Sequence, residues 1–207
     1  MKLERNSGIL LHPTSLPDTP VCGSFGKPAR EWLNELSAFG IGVWQFLPLA
    51  PTDSFGSPYS SPSSFALNPW FLDQNDLVRD GFLANNLEDF SSANDCFKNR
   101  VDFQLANSKV KSLRFSLVDD WYKQNRIIQE EFEIWCSKQF WLDDHSIFME
   151  LKIQNNDLPW WEWPDEYAGR DKKELENWKK NNQKELLGHK LLQWHLDRQW
   201  QSIRELA

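Results

Sequence analysis

Apolar and polar positions divide the chain into two regimes. The first apolar run, Gly8-Ile9-Leu10-Leu11, is short and closed by His12-Pro13, which predicts a buried strand. From Pro28 the interval lengthens. Ala29, Trp32, Leu33, Leu36 and Phe39 recur at helical spacing, Pro28 suits a first helical turn, and Gly40 supplies the stop. Residues 41–49 (IGVWQFLPL) are almost wholly apolar, as for a strand covered on both faces of a parallel sheet. Strand, helix and strand make one βαβ unit, which is right-handed and presents the C-terminal ends of its strands to ligands. The loops leaving those ends, HPTSLPDTPVCGSFG and APTDSFGSPYSSPSSFALNP, far exceed the roughly 2 to 6 residues common in such connections. Long loops at that end favour a binding role.

Seven of the nine Gly and nine of the eleven Pro lie in residues 1–81, so the regime changes near Gly81. The expected division is a βαβ unit with substrate-facing loops over residues 1–81 and a helical subdomain over residues 82–207. In the second part Val110, Leu113, Leu117 and Trp121 mark one helix, Ile128, Phe132, Trp135 and Cys136 a second, and His145, Phe148 and Leu151 a third. The periodicity stops at LPWWEWP (residues 158–164), where two Pro bracket three Trp. A long charged helix is predicted after Arg170. Its later part carries two apolar stripes, Leu187, Leu191, Trp194 and Leu192, Leu196, Trp200, Ile203, Leu206, so it is buried on more than one side. Internal repeats are absent.

Composition narrows the function classes. A formal charge of -7, a pI near 5.2 and no Lys/Arg run argue against a nucleic-acid partner. The opening MKLERNSG lacks an apolar core and cleavage site, and no apolar run reaches the ~18 residues of a membrane span, so a cytoplasmic protein without a membrane partner is expected. Cys22, Cys96 and Cys136 are odd in number and far apart, which suits reduced, buried thiols. His12, His145, His189 and His195 complete no ligand set, so no metal is expected. The 12 Trp and 14 Phe exceed what a core of this size needs.

From Gly8 to Asp73 the order, spacing and type of residues in GILLHPTSLP and VWQFLPLAPTDSFGSPYSSPSSFALNPWFLD resemble the opening of the 4-alpha-glucanotransferases of glycoside hydrolase family 77. Weaker support comes from RVDF (residues 100–103), LPWWEWP and HKLLQWHLDRQW (residues 189–200), so the resemblance covers nearly the whole chain. It implies an α/β fold, an incomplete (β/α)8 TIM barrel holding the first strands, with a large, mostly helical insertion. It also implies a reaction without a cofactor. An alpha-1,4-glucan segment passes to an enzyme carboxylate and then to the 4-hydroxyl of another sugar, with retention at the anomeric carbon. The implied partners are maltooligosaccharides or alpha-1,4-glucans, and the missing C-terminal part of the barrel.

The resemblance assigns Ser57 and Tyr59 of GSPYSS to contact the sugar near the scissile bond. A Tyr ring suits the C-H face of glucose while its hydroxyl keeps a polar partner. The plainer readings are a turn-packing aromatic for Tyr59 and a structural hydroxyl for Ser57. Phe103 stands where some relatives carry a Tyr of a second glucan groove, and Phe55 lies near another aromatic of that groove, which makes both candidates for a possible secondary glucan site. Asn68 reads as a loop anchor or a sugar contact, and His12 as a site residue or a turn cap. Asp102, Asp119, Asp120, Asp143 and Asp144 read as caps and solvated helix faces. No residue is assigned as catalytic, because the family's carboxylates follow later strands. The chain alone is therefore expected to be inactive and marginal in stability, with open sheet edges. Alternatively it is a non-catalytic glucan-binding fragment, or a helical interaction protein that leaves GSPYSS unexplained.

Overall fold

The computed structural model describes residues 6–17, 21–53, 55–84 and 101–207. Cys96 and Arg100, named above, lie outside the described residues. Strand β1 (Gly8–Leu10) and strand β2 (Val43–Gln45) pair in parallel, with Gly8 opposite Val43, Ile9 opposite Trp44 and Leu10 opposite Gln45. Helix α1 (Lys27–Ala38) makes the crossover. Gly40 ends it with φ +68°, a conformation glycine adopts at little cost. Phe39, expected on the buried stripe, lies past the last helical residue and faces solvent.

The strands are shorter and more open than the apolar runs suggest. Ile9 and Trp44 are half-buried, whereas Leu10 and Val43 stand 57% and 44% exposed, which corrects the expectation of strands covered on both faces. Pairing stops three residues before a proline on each side: Pro13 opens a 3-10 turn (Pro13–Ser15) beyond β1, and Pro48, which has no N–H to donate, lies beyond β2. Trp44 packs against the core while its indole N–H donates to the Leu11 carbonyl at 2.7 Å. That bond ties the end of β1 to β2.

A short helix that the hydrophobic pattern does not announce, α2 (Gln74–Arg79), follows the second loop. Asp73 caps it by accepting from the Asp76 amide at 3.0 Å. The three helices read from apolar spacing are α3 (Phe103–Trp121), α4 (Arg126–Ser137) and α5 (Leu142–Gln154). A 3-10 turn (Trp160–Glu162) occupies the proline-bracketed stretch, and helix α6 (Asp165–Ala168) follows its second proline. The expected long charged helix is two, α7 (Lys172–Asn181) and α8 (Gln183–Leu206), broken at Asn182. Asn182 leaves helical geometry because its amide bonds elsewhere: Nδ2 donates to the Trp178 carbonyl and Oδ1 accepts from Gln154, both at 2.8 Å.

Helix α8 is the organising element. It packs on α1, α3, α4 and α5, and its Leu191, Leu192, Leu196 and Ile203 are buried, as two apolar stripes require. The same cluster includes Phe25, Phe71 and Leu72 from before Gly81 and Leu113 and Leu117 from α3, so the core runs continuously across the change of regime. Removing one such leucine side chain costs about 2–5 kcal/mol. Between α3, α5 and α8 the interior is polar: Arg114 donates from Nη1 to Glu150 Oε2 at 2.5 Å and lies 2.5 Å from His189 Nε2. His189 Nε2 also lies 3.1 Å from Glu150 Oε2, so the three side chains form one buried polar cluster.

Candidate functional site

Because β1 and β2 run parallel, the loops after both leave from one end of the pair. The first loop closes on itself, the Gly23 amide donating to the Thr14 carbonyl at 3.1 Å, and meets the end of the second where the Phe25 amide donates to the Phe71 carbonyl at 2.8 Å. A Cβ at Gly23 would lie 1.7 Å from the Pro13 carbonyl oxygen, so only glycine permits this approach. The second loop is closed at its base by the Asn68 amide donating to Leu49 at 2.8 Å. Asn68 is buried, and its Oδ1 accepts from the Trp70 amide at 3.1 Å, which makes it a loop anchor. Helix α8 grips the same loop twice. Gln193 accepts from the Leu67 amide and donates to the Leu67 carbonyl, each at 2.9 Å, and Gln199 repeats the pattern on Asp73 at 2.9 Å.

On this base the loop tip is shaped by Asp53. Its Oδ1 accepts from the amides of Phe55 and Ser57, both at 2.9 Å, and the Ser57 amide is the chief reason its carboxyl is held below the usual range. Gly56 follows at φ +79°. A Cβ there would stand 2.4 Å from Phe103 Cζ, so the Phe103 ring lies directly against the turn. Phe103 in turn stacks on Trp70 at 5.1 Å between centroids, and Trp70 donates from Nε1 to Asn107 at 2.8 Å. The structure thus brings Phe103, at the start of α3, up to the tip that carries Phe55, Ser57 and Tyr59. Tyr59 is 74% exposed and Phe55 86%, while Ser57 is half-buried. Among the described residues the Tyr59 hydroxyl has no hydrogen-bond partner.

The tip is aromatic and uncharged except for Asp53, whose carboxylate is occupied by amides. Asp102 caps α3 through the Leu105 amide at 2.9 Å, and Asp120 accepts from Ala84 at 2.8 Å. Asp143 pairs with Lys190, and Asp144 with Arg170 at 2.8 Å. Asp119 is exposed on α3. His12 sits at the end of β1 with its ring edge-on to Phe71 at 5.6 Å; burial lowers its pKa, and its side chain caps no turn. Burial also pushes the Cys22 and Cys136 thiols up, to about 12 and about 11, which keeps them protonated and unreactive. No cluster of three metal-ligating side chains occurs among the described residues, and no described helix is long and apolar enough to cross a membrane.

Residue spacing does not disclose the roles of Asp53, Gln193 and Gln199. Asp53 carries a usable signal, since an Asp shortly before Phe-Gly-Ser favours a side-chain-to-backbone turn. A further aromatic surface joins the same loop to the helical region: Phe65 meets Phe140 edge-on at 5.0 Å and stacks on Trp141 at 6.4 Å.

The family model for 4-alpha-glucanotransferase of glycoside hydrolase family 77 matches residues 11–207. The 4-alpha-glucanotransferase of Synechocystis sp. is 36% identical over 207 residues, covering 99% of this chain and 40% of the relative. That of Thermus thermophilus is 35% identical over 209 residues, covering 100% of this chain and 41% of the relative. The solved structure of amylomaltase from Streptococcus agalactiae in complex with acarbose superposes with a TM-score of 0.87 at 26% identity, covering 98% of this chain and 41% of that one. The chain belongs to the 4-alpha-glucanotransferase family, and it spans about 40% of the length of the curated relatives it matches.

Proposed function

We propose that this chain supplies the first two strands and the sugar-facing rim of a (β/α)8 barrel in a 4-alpha-glucanotransferase acting on maltooligosaccharides or alpha-1,4-glucans. In this reading residues 1–81 form the first βαβ unit, residues 82–207 form the helical insertion, and later strands pair at the open edges of β1 and β2. Ser57 and Tyr59 contact the sugar beside the scissile bond, and Phe55 and Phe103 belong to a secondary groove. The observation that carries the reading is the placement of a bare Tyr59 ring on a tip braced from three sides, at the end of a parallel strand pair where barrel enzymes bind ligands.

The chemistry asks little of these residues beyond binding. A retaining double displacement needs a nucleophilic carboxylate and an acid/base carboxylate about 5–5.5 Å apart. The acidic residues nearest the tip in sequence are committed to amides and ion pairs, which supports carboxylates supplied from elsewhere in the protein and an inactive 207-residue chain. Transfer to a sugar hydroxyl rather than to water requires the site to exclude solvent, a task suited to long aromatic loops.

Incubation of the full-length protein with maltotriose tests this reading. Glucose together with longer glucans is expected; glucose and maltose without longer products, or no products, would reject transfer. The second reading is a glucan-binding fragment without catalysis. It requires the 207-residue chain itself to bind glucan through Tyr59.

A further inference from the structure

The proline-bracketed LPWWEWP stretch has no part in the site above. It borders a cavity of about 810 Å³ between α5, the Trp160–Glu162 turn, α6 and α7. None of the residues lining it belongs to the loops that carry Ser57 and Tyr59. We propose that this cavity is a second binding site, for a neutral oligosaccharide, here a short alpha-1,4-glucan.

Its walls have the composition that sugar recognition requires. Ile147 and Leu151 form an apolar floor, and Trp163 is fixed beside them by donating from Nε1 to the Leu158 carbonyl at 2.9 Å. Trp160 and Tyr167 line the cavity while remaining partly open to solvent, so ring faces are available for the C-H faces of a pyranose. Trp161 stands beside Trp160 at 5.7 Å, also exposed, and extends the aromatic rim beyond one sugar ring.

The polar groups at the mouth suit hydroxyls. Arg170 pairs with Asp144 at 2.8 Å and Lys179 with Glu176 at 2.7 Å, which places donors beside acceptors, and the exposed Lys172 adds a further donor. A wholly apolar ligand would leave these groups without a use. Sugar hydroxyls both donate and accept, so they match such pairs. The left-handed residues nearby, Arg170 at φ +55° and Asn156 and Asp157 at +55° and +60°, close the C-terminal ends of α6 and α5. The neutral-sugar assignment rests on the cavity alone, and the alpha-1,4 linkage rests on the function proposed above.

Calorimetric titration of the full-length protein with acarbose, and separately with cellotetraose, tests the site. Trp160→Ala and Arg170→Gln alter exposed side chains, so both variants should keep the parent melting temperature. Each should weaken one class of acarbose site on the order of tenfold or more while sparing the class sensitive to Tyr59→Ala. Acarbose binding unchanged in both variants overturns the proposal, and cellotetraose bound as tightly as acarbose overturns the alpha-1,4 assignment. If maltotriose is not transferred but Trp160→Ala still removes a class of acarbose sites, the transferase reading falls and this site stands. Transfer with no effect of Trp160→Ala removes this site alone.

Discussion

Gln199 holds the peptide of Asp73 from both ends, its Oε1 accepting from the amide and its Nε2 donating to the carbonyl, each at 2.9 Å. Six residues earlier Gln193 does the same to Leu67, six residues before Asp73. Two turns of α8 therefore read out the backbone of the loop after β2 without using its side chains. Helix α8 sets the position of that loop's base, and Asp53 sets the shape of its tip.

Gln199→Ala leaves a buried amide and a buried carbonyl without partners, each worth about 1–3 kcal/mol. The urea midpoint should fall accordingly, and limited proteolysis should cut first between residues 46 and 73. Gln199→Glu keeps the acceptor but sets a buried carboxylate oxygen against the Asp73 carbonyl, so it should destabilise at least as much as the alanine variant.

Gly56→Ala should destabilise for two reasons, the left-handed backbone at φ +79° and the clash with Phe103 Cζ. The backbone contribution alone is about 1–2 kcal/mol. In a Phe103→Ala background the clash disappears, so the penalty of Gly56→Ala measured by denaturation should shrink. An equal penalty in both backgrounds would mean that Phe103 does not bear on the turn.

Acid should destabilise the fold from about pH 6.5 downward. Burial lowers the pKa of His145 to about 4 and of His195, whose ring lies 4.6 Å from Phe82 and 4.7 Å from Trp194, to about 3. Both are depressed below the ordinary 6.5, so the unfolded chain takes up protons first, and their stability contribution is present above pH 6.5 and lost as pH falls toward 4 and 3. Glu150 adds to this at lower pH. Burial alone would raise its carboxyl, but the bonds and charges of His189 and Arg114 outweigh that and bring it from 4.5 to about 2, so its contribution is lost between those values. Urea midpoints should stay level from pH 8 to about pH 6.5 and decline from there to pH 3, and His195→Leu should flatten the upper part of the decline.

Most of the helices were legible because apolar residues recur every three or four positions, as in Leu113, Leu117 and Trp121 of α3. What spacing does not carry is a polar residue put to internal use. Glu150, Arg114 and His189 look like surface positions until three helices enclose them, and Asn182 breaks a helix that its neighbours would continue. The apolar run over residues 41–49 overstates its strand, which ends at Gln45 and leaves Val43 44% exposed among the described residues. At the site, resemblance placed Ser57 and Tyr59 on the tip, whereas the brace from Asp53 and the packing of Phe103 against Gly56 emerge only in three dimensions. The aromatic pair Phe65 and Phe140 is separated by 75 positions, too far for any local pattern.

If the tip after β2 faces the glucan, steady-state transfer from maltotriose by the full-length protein depends on Tyr59. Because that ring is exposed and packs on nothing structural, Tyr59→Ala should leave the melting temperature within the small range usual for surface changes, about ±0.5 kcal/mol. The same variant should lower kcat/KM for transfer by on the order of tenfold or more, and Tyr59→Phe should recover the part due to the ring face. An unchanged kcat/KM in Tyr59→Ala, with the parent protein actively making longer glucans, would contradict the claim.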